Sequence, residues 1–122
     1  MSLTYVVVAS VMRLAGADLS GIHIERSTLH KCDLTQSTLK EATIFQCSLK
    51  EAKMPEADLT GAKLTRVIFS STDLKGTIFR NIHIEKVIFR ACALPGQDFR
   101  GCTFTLVTAG DTDLKKADFS GA

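Results

Sequence analysis

Several functional classes are excluded by what the sequence lacks. The formal net charge is only +2, far from the strongly basic balance of a dedicated nucleic-acid-binding domain. No Gly-rich phosphate loop follows a strand and opens a helix, so the chain has no nucleotide-binding motif. The spacings between successive cysteines, 15, 45 and 10, match neither a zinc ribbon nor a CxxC pair. The sequence therefore predicts no enzyme, no cofactor and no bound metal.

Long apolar runs are also missing. The apolar run Tyr5–Ala9 is too short to cross a bilayer, and no basic region precedes it as it would in a signal peptide. We therefore expect no membrane span. The residues of this run favour extended structure, so we expect residues 1–11 to form a strand or cap at the start of the fold.

A five-residue repeat occupies the rest of the chain without an insertion or a deletion. Its central residue is always apolar, and only one centre, Ala109, is small. Two positions before each centre lies a second selected residue, which is often Ala and in most other units Ser, Cys, Thr, Val or Ile. The centres are Leu14, Leu19, Ile24, Leu29, Leu34, Leu39, Ile44, Leu49, Met54, Leu59, Leu64, Phe69, Leu74, Phe79, Ile84, Phe89, Leu94, Phe99, Phe104, Ala109, Leu114 and Phe119.

A period of five fits neither an α-helix nor a long flat strand. Within each unit, the first three residues predict a short extended segment whose side chains point inward, outward and inward. The last two residues predict a corner, and Gly is common in the final position, where it adopts a positive φ at little cost. A chain that turns every five residues and keeps two side chains inward must coil around an axis.

Similarities within the chain indicate four units in each coil. Residues 20 apart would then stack on one face, and similar segments are mostly separated by multiples of 20. The segment Ile22–Arg26, for example, resembles Ile82–Lys86, which would lie three coils further on. One pair of similar segments does not fit this spacing, because Ser37–Glu41 resembles Cys47–Glu51, which is only two units further on. The balance supports a four-sided coil.

The repeat resembles the consensus of the pentapeptide-repeat family. The units Ala17–Gly21, Ala57–Gly61 and Ala117–Gly121 read ADLSG, ADLTG and ADFSG, as in the pattern A-[DN]-[LF]-x-x. The resemblance implies an all-β fold, a right-handed quadrilateral β-helix. With coils ~4.8 Å apart, about five and a half coils give a rod of roughly 26 Å. We assign residues 1–11 to an N-terminal cap or strand and residues 12–122 to the pentapeptide-repeat β-helix.

All four cysteines, Cys32, Cys47, Cys92 and Cys102, occupy the small inward position of the repeat. Only Cys32 and Cys92 share a face, and they lie three coils apart, about 14 Å, which exceeds the reach of a disulfide. Four buried free thiols behave as small apolar residues. Together with the missing signal peptide, they favour a cytoplasmic location.

Histidine and basic side chains take outward positions. His23 and His83 share a column, but they lie three coils apart, which is too far for both to bind one metal ion. One basic column could meet phosphate groups, but Glu25 and Glu85 flank it, so we expect no nucleic-acid binding. That column consists of Arg26, Gln46, Arg66 and Lys86.

The family resemblance raises one specific alternative. Some pentapeptide-repeat proteins protect or inhibit DNA gyrase, and they are long acidic rods that imitate duplex DNA. This chain departs from them in its charge of +2 and in its length. Its aspartate column is interrupted by Thr38 and Ile78, and the aspartates take the polar position of the consensus, which is independent of function.

Apolar residues in outward positions are the candidates for a contact surface. Ile68 and Ile88 lie one coil apart on one face, and Ile78 takes the same position on the opposite face. Phe45 and Leu106 lie outward on a third face. A paired apolar patch indicates a protein contact, although the preference of β-branched residues for extended segments is another explanation.

The last coil is a second candidate surface. An open solenoid end exposes apolar side chains, here around Leu114 and Phe119, and we expect copies of the chain to associate there as a homodimer. Taking all features together, we interpret the chain as a non-enzymatic scaffold for an unidentified protein partner. The alternatives are a DNA mimic that binds gyrase or another topoisomerase, and a spacer within a larger bacterial protein such as an effector.

Overall fold

A computed structural model of the chain describes residues 2–4 and 12–122, which form a solenoid of short parallel β-strands. Each strand is three residues long, as expected for a chain that must turn every fifth residue. No helix occurs in these residues. The strands are β1 (Ser2–Thr4), β2 (His23–Glu25), β3 (Thr43–Phe45), β4 (Lys63–Thr65), β5 (Ile68–Ser70), β6 (His83–Glu85), β7 (Ile88–Arg90), β8 (Thr103–Thr105) and β9 (Thr108–Gly110).

Each strand pairs with the strand that lies four repeat units further along the chain, which confirms four units per coil. Ile44, for example, pairs with Leu64, and Leu64 pairs with Ile84. The rod therefore has four faces. Face 1 has Leu34 and Met54 among its centres and face 2 has Leu39 and Leu59, and both are held by isolated parallel bridges. Face 3 is the sheet β1-β2-β3-β4-β6-β8, and face 4 is the sheet β5-β7-β9.

The number of regular coils is slightly lower than expected. Face 3 advances by four steps of one coil each from His23 to Thr103, which makes about four turns with paired strands. The expected five and a half coils also counted units near both ends of the repeat. Those units lie before His23 or after Thr105, outside the four steps of face 3, although some of them are bridged to the neighbouring coil, as in Arg13 to Asp33 and Asp98 to Asp118.

The N-terminal strand β1 lies on the first coil. Leu3 pairs with Ile24, whereas the regular register would pair Ile24 with the residue after Leu3, so β1 is out of phase with the repeat by one position. Residues 5–11, which include the apolar run Tyr5–Ala9, lie outside the described residues. The domain boundary at residue 11 therefore stays a prediction.

The core is a narrow shaft filled by the centres of the repeat. Leu39, Leu59 and Phe79 are almost completely buried, and burying such a side chain contributes about 1.5–3 kcal/mol. The upper half of the shaft is filled by stacked rings: the centroids of Phe69 and Phe89 lie 5.1 Å apart with an interplanar angle of 8°. The pattern of the centres alone thus predicts the core correctly.

The small inward position also provides hydrogen bonds. The hydroxyl of Thr72 donates to the carbonyl of Leu49 at 2.8 Å, and that of Thr77 donates to Met54 at 2.7 Å. The thiol of Cys102 makes the same contact with the carbonyl of Phe79 at 2.8 Å. Cysteine at this position therefore acts as a weak donor that resembles Thr, and the expectation that it merely behaves as a small apolar residue was incomplete.

Every corner of the repeat has a left-handed backbone. Gly76 has φ +70°, and non-glycine corners such as Lys86 (φ 54°) and Ala91 (φ 53°) take the same conformation. An L-residue in this region costs roughly 1–2 kcal/mol, whereas Gly adopts it freely. The ladder between coils holds the non-glycine corners in place: the Ala91 amide still donates to the carbonyl of Gly110 at 3.2 Å.

Ala91→Gly should therefore stabilise the fold by about 1 kcal/mol, because it removes the left-handed strain. The matched control is Ala93→Gly, two residues further on, where the exposed Ala lies in an extended bridge with Asp113. That change should destabilise by roughly 0.5–1 kcal/mol. Urea denaturation measures both variants. Both changes raise the entropy of the unfolded chain equally, so only the corner strain can make the two variants differ. Corner strain would be contradicted if Ala91→Gly and Ala93→Gly destabilised the fold by the same amount.

Candidate protein-interaction surface

The outward apolar residues differ in exposure and in location. Ile68 and Ile88 are 40% and 39% exposed, and Leu106 is 72% exposed. Phe45 is half-buried on face 3, so the structure does not bring it together with the isoleucines of face 4. At the end of the rod, Phe119 is 45% exposed and Leu114 is partly buried.

Ile68 and Ile88 form a continuous apolar strip. They are direct neighbours in the register of β5 and β7, with their side chains on the outer side of face 4. The next residue in the column is Thr108 of β9. Leu106 lies at the corner two residues before Thr108, so it extends the strip toward the edge of the face.

Four basic residues surround the strip. The sequence pattern did not lead us to assign them to this surface. Arg66 and Lys86 occupy the corner two residues before each isoleucine, and Lys50 and Arg90 lie on the other side of the column. All four are exposed, and none has a carboxylate of the described residues within ion-pair distance. We call Ile68, Ile88, Lys50, Arg66, Lys86 and Arg90 the face 4 patch. The repeated spacing Arg66-x-Ile68 and Lys86-x-Ile88 is the sequence signal that would have found it.

The opposite face shows that this charge pattern is not a general property of the rod. Face 2 also exposes one isoleucine, Ile78, which is 39% exposed and is paired with Asp58. There two of the three basic side chains form ion pairs: Lys40 lies 3.6 Å from Asp58, and Arg100 lies 2.9 Å from Asp98. The third, Arg80, forms no ion pair among the described residues, but its charge adds to the effect of Arg100 in lowering the pKa of Asp98. Ion pairs therefore offset most of the basic residues on face 2, whereas none of the four basic residues around the isoleucines of face 4 is in an ion pair with a described residue.

A shallow groove of about 400 Å³ adjoins the face 4 patch. It runs along the edge between faces 3 and 4, and Arg66 and Ile68 form one end of it. Hydroxyl groups of Thr28 and Ser48 line the groove together with the side chain of Gln46. These groups suit an anionic or polar ligand group, since guanidinium, hydroxyl and amide donors all hydrogen-bond to carboxylates.

The aspartates of the consensus position cap their own backbone. The Asp98 carboxylate accepts hydrogen bonds from the Arg100 amide at 3.0 Å and from its guanidinium at 2.9 Å. These bonds and the nearby positive charge lower the pKa of Asp98 to about 2. At Asp18 and Asp118 the serine two positions on lowers the pKa of each carboxyl, first through its hydroxyl and then through its backbone amide. The acidic column therefore stabilises corners.

One Ser–His contact lies on face 4. The His30 Nε2 atom is 2.9 Å from the Ser48 hydroxyl, a distance suited to a nucleophile and its base. Acyl transfer also needs free donors for an oxyanion. Here the backbone amides of Ser48 and Leu49 already donate to the carbonyls of Ser27 and Ile68. The arrangement supports a surface hydrogen bond, and no group of His, Cys, Asp and Glu in the described residues could hold a metal ion.

The four cysteines are buried and free. Burial raises the pKa of all four thiols, so the reactive thiolate form is disfavoured. Their role is packing and weak donation to carbonyls of the neighbouring coil.

The chain belongs to the pentapeptide-repeat family. The sequence profile of pentapeptide repeats matches residues 13–50, 44–81 and 89–121, with 8 copies of the repeat. This match covers most of the chain and confirms the family to which the consensus units pointed. No curated protein sequence gives a significant match.

Solved structures of other pentapeptide-repeat proteins have the same fold. A trypsin-treated variant of QnrB1, a plasmid-mediated fluoroquinolone resistance protein, is similar with a TM-score of 0.68 and 16% identity, over 99% of this chain and 76% of that one. Rfr23 from the cyanobacterium Cyanothece 51142 is similar with a TM-score of 0.54 and 15% identity, over 97% and 87% of the two chains. At such low identity the likeness concerns the fold.

Within residues 2–4 and 12–122, the structure contains no helix that could span a membrane.

The capping role of Asp98 predicts a defined acid sensitivity. Its folded-state pKa of about 2 lies below the ordinary 3.8, so the ionised carboxylate stabilises the fold above pH 3.8 and this contribution is lost as the pH falls toward 2. Asp98→Asn keeps the acceptor oxygen but removes the titration. The difference in urea midpoint between wild type and Asp98→Asn should narrow as the pH falls through this window.

An Arg100→Gln variant provides the control, because it removes the main partner and leaves the carboxylate. Its acid-induced loss of stability should be smaller than that of the wild type. A difference between wild type and Asp98→Asn that stays constant down to pH 2 would contradict the capping role.

Proposed function

We propose that this chain is a non-enzymatic scaffold that binds a protein partner through the face 4 patch. The observation that carries this proposal is the pairing of two exposed isoleucines in the register of β5 and β7. Binding hot spots cluster near the centre of an interface, often include Arg, and are surrounded by residues that exclude water. The other features of the surface provide polar or charged surroundings for this cluster.

The rigidity of the rod supports the same proposal. Ile68 and Ile88 project from a sheet whose inner residues, Phe69 and Phe89, stack in the shaft. Both flanking corners are held by bonds between coils, as in Arg66 N–H to Glu85 O at 3.0 Å. A surface that is already ordered loses little conformational entropy when a partner binds.

The DNA-mimic alternative has weaker support. QnrB1 is a fluoroquinolone resistance protein, and its fold is similar to that of this chain. A mimic of DNA needs a continuous acidic surface, whereas Asp58 and Asp98 pair with basic residues and Ile78 interrupts their column. Inhibition of gyrase supercoiling by the chain would favour this alternative. A spacer role within a longer polypeptide would leave the face 4 patch without a partner.

The unpaired cysteines support a cytoplasmic location, which we propose together with the scaffold role. Cys32 and Cys92 are buried at separate levels of the rod, and all four thiols are free. Such a set persists in a reducing compartment.

The contact proposal predicts the behaviour of a double variant. Ile68→Asp combined with Ile88→Asp should leave the fold intact, because both side chains point outward, and should abolish partner capture by affinity purification. The matched control is Ile78→Asp on face 2, which changes an isoleucine of the same exposure. Circular dichroism checks the fold of each variant. If the double variant and the control capture the same partners equally well, the face 4 patch is not the contact surface.

We propose further that copies of the chain associate through the last coil. The Phe119 ring is 45% exposed although it stacks on Phe99 at 5.1 Å, so nearly half of a large apolar surface remains available. Leu114 packs only partly against the core beside it.

Phe119→Asp should therefore convert a dimer to a monomer, because a buried carboxylate at the contact is costly. Multi-angle light scattering at increasing protein concentration measures the mass. Ile78→Asp serves as the control and should remain dimeric. A wild-type chain that stays monomeric at high concentration would rule out this association.

A further inference from the structure

We infer that the partner of the face 4 patch is an acidic protein segment with apolar side chains between its carboxylates. This inference rests on the proposed scaffold function and specifies its partner. The charge of the surface identifies the chemistry: the patch combines a central aliphatic column with basic residues on both sides. A complementary segment must offer the reverse arrangement, with apolar residues at its centre and carboxylates at its margins.

The basic residues of the patch lie at regular intervals along the rod. Arg66 and Lys86 occupy equivalent corners of successive coils, ~4.8 Å apart in axial position. Arg90 lies in register with Ser70 on the other side of the column. Because none of the four basic residues has a carboxylate partner among the described residues, their charge is available to an incoming ligand.

Face 2 shows that an exposed isoleucine is not by itself surrounded by unpaired basic residues as on face 4. Ile78 has the same exposure as Ile88, but on its face Asp58 pairs with Lys40 and Asp98 pairs with Arg100, which leaves only Arg80 without an ion pair in the described part of the chain. Within that part, most of the positive charge on the face of Ile78 is thus neutralised by ion pairs, whereas none of that around Ile68 and Ile88 is. An acidic partner would be attracted to face 4 and not to face 2.

The groove beside Ile68 gives the carboxylates a place to bind. Arg66 lies at one end of this groove of about 400 Å³, and the hydroxyl groups of Thr28 and Ser48 line it. A carboxylate that enters the groove can accept from the Arg66 guanidinium and from the Thr28 hydroxyl at once, while the Ser48 hydroxyl already contacts His30. An apolar residue next to it in the partner would then lie over Ile68.

The same surface is less suited to nucleic acid. Single-stranded nucleic acid needs exposed aromatic rings for base stacking, whereas Phe69 and Phe89 of face 4 point into the shaft. A duplex would place its phosphates against the aliphatic column of Ile68 and Ile88, which offers them no hydrogen-bond donors. A protein segment can satisfy the aliphatic column and the basic residues together.

Titration of the isotope-labelled full chain with three probes tests the inference by nuclear magnetic resonance. Two peptides of equal length carry leucines at helical spacing, with Glu at all other positions in one and Lys in the other, and the third probe is a DNA duplex. The Glu/Leu peptide should shift the amide signals of β5 and β7, and its affinity should fall as the salt concentration rises. The Lys/Leu peptide and the duplex should leave these signals unchanged.

Charge-reversal variants locate the effect. Arg66→Glu with Arg90→Glu should weaken binding of the Glu/Leu peptide about tenfold or more, whereas Arg80→Glu on face 2 should have no such effect. The inference is overturned if the Glu/Leu peptide shifts no face 4 signals at millimolar concentration. It is also overturned if the Lys/Leu peptide binds equally well, or if the duplex binds the strip more tightly.

The variants also distinguish this inference from the proposed function. If partner capture is lost with Ile68→Asp and Ile88→Asp but persists with Arg66→Glu and Arg90→Glu, the scaffold function stands and the acidic partner is wrong. If both double variants capture partners as well as the wild type, the proposed function itself fails.

Discussion

The hydrogen-bond ladder between successive coils is the constraint on which this structure depends. The Thr38 amide donates to the backbone carbonyl of Ala17 in the coil below at 3.0 Å, and the Leu39 amide donates to the backbone carbonyl of Asp58 in the coil above at 2.7 Å. The ladder continues through corners, where Gly61 donates to Arg80 at 2.9 Å. These bonds require each coil to contain the same number of residues as the next one. Equivalent residues of successive coils therefore lie above one another. The shaft, the faces and the columns of surface residues all follow from this register.

The ladder also explains why so much of the surface chemistry is structural. Consensus aspartates such as Asp98 cap the strained corners, and inward Thr and Cys residues donate to carbonyls of the coil below. Residue types that in other proteins indicate catalysis or metal binding here form hydrogen bonds that stabilise the fold. What remains for function is the outward positions that the ladder does not use. On face 4 these positions combine aliphatic and basic side chains, as represented by Ile68 and Arg66.

Much of the fold could be predicted from the repeat, because each position has one physical task. Apolar centres such as Leu59 and Phe79 are buried, and corner glycines such as Gly76 have a positive φ, as the pattern indicated. The number of regular coils was slightly overestimated, because a sequence count cannot show which terminal units pair as strands. The hydrogen bonds of buried thiols were also missed, since donation by Cys102 depends on its distance to the carbonyl of Phe79 in the neighbouring coil.

The sequence alone determined the family, the period, the core and the outward direction of Ile68 and Ile88, because these properties depend only on position within the repeat. The tertiary structure decided which charges are compensated. Lys40 and Arg100 on face 2 meet carboxylates, whereas Arg66 on face 4 meets none within the described residues. Ion pairing depends on side-chain reach across neighbouring coils, and residues far apart in sequence become neighbours only once the coils are stacked.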